Sequence, residues 1–332
     1  MTVTPASDPG GAGASEVALP AQRHRPSLPE AAALASVLIG LCVFFSLTSP
    51  FFLGYDNLVN IATNVAIITI VAAPATLLLI AGQVDLSVGA GVAFVGVVMA
   101  WAAPQFGIPA AVVLSLVAAL LIGVANGIGI TVIGVNSLVT TLASLGVLRG
   151  LTKVLANGQT LLLTGFSDFG TARPILEIPI PVLVAVATVL LLYVVSRYTV
   201  YGRSMYAIGA SPPAARLAGL RTNRAILIGF VVTAAFVGIA GLIQVSQLGA
   251  ASPVAAAGLE LSVVTAIILG GASLAGGRGT MLGTVLAVLI IGVLNNGLIL
   301  LNVPSFWQEV ARGVLLFAAV AFDQLRMRLT TQ

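Results

Sequence analysis

Residues 108–133 read IPAAVVLSLVAALLIGVANGIGITVI, without a single charged side chain. This run is longer than the roughly 20 apolar residues that an α-helix needs to cross a bilayer. The rest of the chain has the same character, since 59% of its 332 residues are hydrophobic and only 7% are charged. A water-soluble domain carries about 25% charged residues, so lipid is the main solvent here. Lipid permits only helices or closed barrels, and long uninterrupted apolar runs indicate helices.

Hydropathy therefore predicts an all-α polytopic membrane protein with about ten transmembrane helices. The approximate limits of the predicted spans are 31–49, 57–81, 86–103, 108–133, 136–156, 180–198, 225–247, 259–276, 280–301 and 305–324. Residues 1–30 are rich in Gly, Ala, Pro and Ser and lack the apolar core of a signal peptide, which is typical of a disordered tail. Residues 31–328 form the predicted transmembrane domain.

The placement of the basic residues predicts the orientation of the chain. Arg23 and Arg25 precede the first span, Arg326 and Arg328 follow the last, and five arginines flank or fill the connection 199–224. Cytoplasmic loops carry the excess of Lys and Arg in membrane proteins. With ten spans, one orientation puts all of these residues in the cytoplasm, so both termini and the connection 199–224 are expected on that side.

Two parts of the sequence resemble each other at a fixed spacing. Ile122-Gly-Val-Ala-Asn-Gly127 matches Ile291-Gly-Val-Leu-Asn-Asn-Gly297, and Asp85-Leu-Ser-Val88 matches Glu260-Leu-Ser-Val263. The matches place spans 3–5 opposite spans 8–10, which begin five spans later and so cross the membrane in the opposite direction. The pattern predicts an inverted internal repeat, an arrangement in which transporters bind their substrate between the repeats.

The repeat identifies five polar residues as candidates for a translocation path: Asn126, Asn295, Asn296, Asp85 and Glu260. An amide at membrane depth is costly unless it has a partner. The three asparagines therefore either bond neighbouring helices or contact a hydroxylated solute during passage. The two acids either cap the helices that they precede or act as carboxylates at a gate or at the mouth of the path.

The segment Ser211-Pro-Pro-Ala-Ala-Arg-Leu-Ala-Gly-Leu220 predicts a short helix within the basic connection. Ser211 suits the N-cap, Pro212 the first helical position and Gly219 the C′ position. About seven residues fit between the caps, or roughly 10 Å of helix. Positive-inside topology requires only the arginines, so the added caps indicate a surface that docks to another protein.

Several functions are excluded by what the chain lacks. Cys42 is the only cysteine and His24 the only histidine, so an intrachain disulfide, a Cys/His dyad and a Cys/His zinc site are impossible. The glycine-rich stretch 271–280 lacks the lysine of a phosphate loop and follows a membrane helix rather than a strand. No catalytic residue, metal, cofactor or nucleic-acid partner is predicted.

The motifs of the chain resemble the membrane permease subunit of bacterial ABC sugar importers of the ribose/xylose/arabinose type. The resemblance covers nearly all of residues 31–328. The motifs that carry it are GQVDLSVG at 82–89, YGRSMYAIGA at 201–210, AARLAGL at 214–220, LGGASLAGGRG at 269–279 and NNGL at 295–298. The family often has Asn at the position of Ser211 and an acid at the position of Ser262.

The resemblance implies a ten-helix permease domain that works as a homodimer or with a paralogue. It also implies a cytoplasmic ATP-binding subunit, a periplasmic or lipid-anchored sugar-binding protein, and a bacterial cytoplasmic (inner) membrane. The helix at 211–220 resembles the coupling helix that seats in a groove of the ATPase, within a coupling loop at 199–224. There Arg216 is expected to make a polar contact, Leu217 and Leu220 apolar contacts, and Gly219 the turn.

The expected function is ATP-driven import of a pentose or hexose by alternating access, without chemistry on the solute. The same permease class can carry a nucleoside, a polyol or a branched-chain amino acid, so these cargoes stay open. An ion-coupled secondary transporter needs buried titratable groups, whereas the acids here lie mostly at span ends. An intramembrane enzyme needs a base to activate its nucleophile, and the sole histidine lies in the tail.

Overall fold

The computed structural model describes residues 28–175 and 177–330, so most of the predicted tail lies outside the described residues. The described chain is almost wholly helical. In chain order the helices are α1 (Leu28–Thr48), α2 (Tyr55–Ile80), α3 (Val88–Phe106), α4 (Ile108–Thr131), α5 (Ser137–Leu155), α6 (Asp168–Thr171), α7 (Ile180–Tyr198), α8 (Val200–Ala210), α9 (Pro212–Leu217), α10 (Thr222–Leu248), α11 (Leu259–Leu269), α12 (Met281–Leu300) and α13 (Ser305–Thr330). Two short strands, β1 (Leu161–Leu162) and β2 (Ala250–Ala251), pair antiparallel.

Every predicted span coincides with a helix. Among the described residues, eight helices are long and apolar enough to cross a bilayer, namely α1, α2, α3, α4, α5, α7, α10 and α12. Helix α13 covers the tenth predicted span. The chain is thus an all-α polytopic membrane protein.

The predicted length of the eighth span was wrong. Residues 259–276 were expected to be helical, but α11 ends at Leu269 after 11 residues. Gly270 then packs so closely on the start of α12 that an added Cβ would lie 2.5 Å from the carbonyl carbon of Gly283. Gly271 has a φ of +90°, which is a left-handed conformation that favours glycine. The glycine pair stops the helix although its hydropathy continues.

The helices form an inner and an outer group. Helices α2, α3 and α10 are mostly buried inside the protein, whereas α1, α4, α5 and α7 present most of their residues outward. Helix α10 packs against α2, α3 and α4. Close approach is possible because glycines replace larger residues at the crossings. An added Cβ on Gly123 of α4 would lie 2.7 Å from the Phe230 carbonyl oxygen of α10.

Candidate translocation path and coupling surface

The short helix α9 has the caps that the sequence predicts. Ser211 is the N-cap, and its hydroxyl accepts a hydrogen bond from the Ala214 amide at 3.4 Å. Pro212 is the first helical residue. At the other end the amide of Gly219 donates to the Arg216 carbonyl (2.9 Å) and the amide of Leu220 to the Ala215 carbonyl (3.0 Å). This is a Schellman motif, with Gly219 at a φ of +83°. The helix has six residues rather than about seven.

The two faces of α9 differ in exposure. Leu217 is 91% exposed, and Arg216 beside it is also exposed, with its Nε bonded to the Pro212 carbonyl at 3.3 Å. Ala215 is buried and Leu220 half-buried in a cluster with the ends of α2, α8 and α10. The helix is therefore anchored through Ala215 and Leu220, and it presents an uncovered apolar side chain next to a positive charge. Leu220, which was expected to make an apolar contact with the ATPase, is half-buried against the protein.

Three of the sequence motifs meet at one point behind α9. Gly82 follows α2, Gly209 lies at the end of α8, and Gly276 and Gly277 lie in the loop between α11 and α12. We call these four residues the glycine junction. An added Cβ on Gly209 would overlap the Ile80 carbonyl oxygen and lie 2.5 Å from the Gly277 amide nitrogen, and one on Gly276 would lie 3.0 Å from the Gly82 nitrogen. Backbone thus rests on backbone. A side chain at Gly209 would force a shift, Gly276 and Gly277 leave little room for one, and Gly82 has a positive φ of +74° that favours glycine.

Hydrogen bonds hold the glycine junction together. The Gly277 amide donates to the Ile80 carbonyl at 2.8 Å, and the Tyr206 hydroxyl of α8 donates to the Gly279 carbonyl at 2.9 Å. Burial raises the pKa of the Tyr206 phenol, while the charge of Arg197 lowers it in part. The phenol therefore remains a donor at neutral pH. The sequence analysis identified the three motifs separately but did not predict that they contact one another. The glycine in each motif was the one feature of the sequence that pointed to a close backbone contact.

The first acid–amide pair of the repeat forms a buried network. The Ser87 amide and hydroxyl both donate to Oδ1 of Asp85, at 2.9 and 2.6 Å. The side-chain nitrogen of Asn126 donates to the Ser87 hydroxyl at 2.9 Å, and its oxygen accepts from the Ser144 hydroxyl. Asp85, Ser87 and Asn126 are all buried. Asp85 is not the N-cap of α3, because Ser87 occupies that position.

The network lies within the helices, some distance from their ends. Asn126 is about 8 Å from the end of α4 at ~1.5 Å per residue. The segment 82–87, which is not helical, therefore reaches past the end of α4 to the level of Asn126. Its backbone is bonded by the start of α5, where the Ser137 hydroxyl accepts from the Val84 amide (3.3 Å) and the Thr141 hydroxyl donates to the Val84 carbonyl (3.4 Å). Irregular backbone at this depth is tolerated where protein satisfies it.

The second acid, Glu260, lies in the first turn of α11 and touches the first turn of α3. A Cβ added to Gly89 would overlap Oε2 of Glu260 and lie 2.9 Å from the Ala256 carbonyl oxygen. Oε1 accepts from the Gly258 amide at 3.3 Å, whereas Oε2 is buried without a hydrogen-bond partner. Arg149 of α5 donates to the Ala255 carbonyl at 3.1 Å and holds the segment before α11. The sequence did not indicate either contact.

Helices α3 and α11 meet by their N-termini and then diverge. Helix α11 packs against α2, α12 and α13, whereas α3 packs against α4, α5 and α10. Helix α11 is only about 16 Å long, roughly half of the 30 Å hydrocarbon core of a bilayer. Glu260, at its N-terminus, faces the first turn of α3. The positive ends of two helices face one carboxylate.

The two asparagines of α12 differ in their contacts. Asn296 and Asn57 exchange two side-chain hydrogen bonds, at 2.7 and 3.0 Å, which join α12 to α2. Asn295, the counterpart of Asn126 in the repeat, has a buried side-chain oxygen without a hydrogen-bond partner. Asn296 is thus a packing residue here, and Asn295 has unused capacity to accept a hydrogen bond.

Asp85 and Asn126 are therefore joined, Glu260 faces α3, and Asn295 and Asn296 lie apart from them on α12. The part of the chain that the structure describes holds no group of three or more His, Cys, Asp or Glu residues suited to a metal. The arrangement offers buried hydrogen-bonding groups among the long apolar helices and, at one side, a capped helix with an exposed leucine and arginine.

Comparisons with known proteins agree with this architecture. The family described as "Branched-chain amino acid transport system / permease component" matches residues 57–320. The ribose import permease protein of Escherichia coli (strain K12) is 36% identical over 307 residues, which cover 89% of this chain and 94% of that protein. The L-arabinose ABC transporter permease protein of Azospirillum brasilense is 36% identical over 299 residues, covering 88% of this chain and 87% of that protein.

The D-allose transport system permease protein of Escherichia coli (strain K12) is 31% identical over 290 residues, covering 86% of this chain and 88% of that protein. No solved structure is significantly similar to the chain.

Proposed function

Because the chain belongs to the branched-chain amino acid transport system permease family, we propose that it is the membrane permease subunit of an ATP-driven importer of a monosaccharide. The similarity to the ribose import permease over 94% of that protein's length carries this proposal. Other relatives are named for L-arabinose and D-allose, so the cargo is a pentose or a hexose. A transport permease performs no chemistry on its solute, and ATP hydrolysis belongs to a separate chain.

The ATP-binding subunit docks on α9. The exposed pair of Arg216 and Leu217 supports this assignment, because it presents an apolar side chain beside a positive charge on a helix that is capped at both ends and anchored from behind. Ser211, Pro212 and Gly219 fix the helix by its caps, and Leu220 anchors it from behind. Residues 199–224 form the coupling loop of a permease domain at 31–328, with residues 1–30 and both termini in the cytoplasm of a bacterial inner membrane.

The remaining partners follow from the class of transporter. A periplasmic or lipid-anchored sugar-binding protein delivers the solute to the side opposite α9. A second copy of this chain, or a paralogue, completes the permease.

Movement of α9 reaches the membrane through the glycine junction. Helix α8 rests directly on the backbone of Ile80 and Gly277. Ile80 ends α2 just before the loop to α3, and Gly277 lies in the loop that leads to α12. A shift of α8 therefore displaces one loop from each repeat together. This geometry supports alternating access in which the two repeats rock about the point where α3 and α11 meet.

The polar groups at membrane depth supply the path. Glu260 and Asn295 each keep a buried oxygen without a partner, so each can accept a hydrogen bond from a sugar hydroxyl at low cost. Asp85 and Asn126 already satisfy each other through Ser87 and become available only when the network opens. Asn296 contributes by positioning α12.

Reconstituted transport tests the proposal. Proteoliposomes holding this chain, its ATP-binding subunit and its sugar-binding protein are expected to accumulate radiolabelled ribose, L-arabinose or D-allose only with hydrolysable ATP. Uptake without the ATPase would show that the protein is not an ATP-driven importer and would favour an ion-coupled secondary transporter. Uptake of leucine but of none of the sugars would favour the second candidate, a branched-chain amino acid permease, which the description of the family itself supports.

A further inference from the structure

The loop between α11 and α12 is held in one conformation by backbone contacts, and we call its residues 273–279 the arginine loop. The Ser273 amide donates to the Arg278 carbonyl at 3.2 Å. The glycine junction fixes the loop from the other side, through the Gly277 amide and the Gly279 carbonyl. The side chains of Ala275 and Arg278 remain exposed. The loop thus presents an arginine from a firm support, and the function proposed above gives this arginine no role.

The arginine loop lies beside α9. An added Cβ on Gly277 would lie 3.0 Å from the Cα of Ala210, and Ser211, the N-cap of α9, follows Ala210 directly. Because consecutive Cα atoms are about 3.8 Å apart, the Cα of Arg278 lies within about 12 Å of the Cα of Ser211. Arg278 is therefore within reach of a protein seated on α9.

Helix α9 is too small to form a specific interface alone. Such an interface covers about 800 Å² of each partner, a patch roughly 30 Å across. Helix α9 has six residues and is about 9 Å long at ~1.5 Å per residue. A subunit seated on α9 therefore also covers segments beside it, and the arginine loop is one of the segments within that patch.

The charge of this region indicates the chemistry of the partner surface. Arg216 of α9 and Arg278 of the arginine loop are both exposed. The sequence contains no acidic residue in 178–259 or in 261–308, so neither segment supplies a carboxylate of its own. Charges across protein interfaces are complementary, and they raise the rate of association. A partner that covers both arginines is therefore expected to be acidic there.

We propose that the ATP-binding subunit covers the arginine loop as well as α9, and that a carboxylate on its surface pairs with Arg278. This inference rests on the proposed docking of that subunit on α9. The arginine loop leads directly into α12. The contact thus gives the ATP-binding subunit a second point of attachment, from which movement reaches the second repeat without passing through α8.

The rate at which the ATP-binding subunit associates with the full-length chain in lipid nanodiscs tests the charge contact. Arg278→Glu is expected to slow association about fivefold at low salt, and the difference should shrink at high salt because salt screens exposed charges. Arg278→Lys keeps the charge and should associate at nearly the wild-type rate. Arg173→Glu makes the same reversal at an exposed arginine between α6 and α7 and is the matched control, expected to leave association unchanged.

A single thiol tests the same surface without changing its charge. Ala275→Cys in a Cys42→Ala background is expected to react with a maleimide in nanodiscs and to be protected when the ATP-binding subunit is bound. Thr171→Cys, at an exposed residue of α6, should stay reactive. Unchanged association in Arg278→Glu, or unchanged labelling of Ala275→Cys, would overturn the proposal. If Leu217→Asp still weakens binding in that case, docking on α9 stands without the arginine loop; if it does not, the proposed docking fails as well.

Discussion

Leu217 is the residue of α9 whose side chain is best placed to contact a partner protein. It is 91% exposed on a helix whose caps hold it in place, and burial of a leucine side chain stabilises an interface by about 1.5–3 kcal/mol. The sequence predicted this helix well, because caps are local: Ser211 and Gly219 each act through amides within five residues. It did not predict that Leu220 turns inward, since that depends on the ends of α2 and α10.

Leu217→Asp is expected to weaken co-purification of the ATP-binding subunit at least tenfold, because the loss of about 1.5–3 kcal/mol of apolar burial corresponds to that change. Arg216→Glu should have the same direction of effect through reversed charge. Both variants should reach the membrane in normal amounts. Leu162→Asp makes the same change at a 78% exposed leucine of β1, far from α9, and should leave ATPase binding unaltered. Equal binding by all three variants would refute the docking assignment.

Gly89 is the position where the two repeats touch most closely. Gly89→Ala is expected to lower stability by about 1–3 kcal/mol, the usual cost of overpacking, because its Cβ would overlap the Glu260 carboxylate. Thermal unfolding in detergent measures the change. Gly146→Ala on α5 has open space around it and should not lower the melting temperature. Glu260→Ala in the Gly89→Ala background should recover part of the loss; a fully additive double variant would mean that the contact is absent.

The asparagines of α12 allow packing to be separated from transport. Asn296→Leu leaves Asn57 without its partner and is expected to cost about 1–3 kcal/mol of stability. Asn295→Leu removes an oxygen that bonds nothing, so stability should be unchanged while sugar flux falls in the assembled complex. Wild-type flux with Asn295→Leu would remove this residue from the path.

At the scale of elements, the loops rather than the spans were difficult to foresee. Hydropathy predicted the position of each membrane-spanning helix because burial in lipid is decided by about 20 consecutive residues. The early end of α11 at Leu269 depends on the contact between Gly270 and Gly283 of α12, which no local pattern contains. The glycine junction is hidden for the same reason, since it joins three segments that are distant in sequence.

Gly209→Val tests the junction as the link between α8 and the membrane. Its side chain would overlap the Ile80 carbonyl and push α8 away, so the assembled complex is expected to hydrolyse ATP with little sugar uptake. The ratio of sugar transported to ATP hydrolysed is the measurement. Ala207→Val adds the same bulk on the exposed side of α8 and should keep the wild-type ratio. An unchanged ratio in Gly209→Val would show that force does not pass through this junction.

At the scale of the whole molecule, the two halves share sequence motifs but differ in their contacts. Asn126 is bonded at both ends of its amide, whereas Asn295 keeps a free oxygen; Asp85 is bonded within its own half, whereas Glu260 reaches the other half at Gly89. A resting structure with one half satisfied and the other unsatisfied suits a transporter that must exchange these roles as it switches. Sequence matching indicated the pairing of these residues but not which member would lack its partner.

We propose that a separate ATPase seated on α9 drives this membrane protein from the cytoplasm. Leu217→Cys in a Cys42→Ala background gives the chain a single thiol on that helix. Labelling with a membrane-impermeant maleimide shows on which side of the membrane this thiol lies and whether a partner covers it. We expect labelling in inside-out vesicles, none in right-side-out vesicles or intact spheroplasts, and protection when the ATPase subunit is added. Labelling from the external face, or labelling that the ATPase leaves unchanged, would contradict the account.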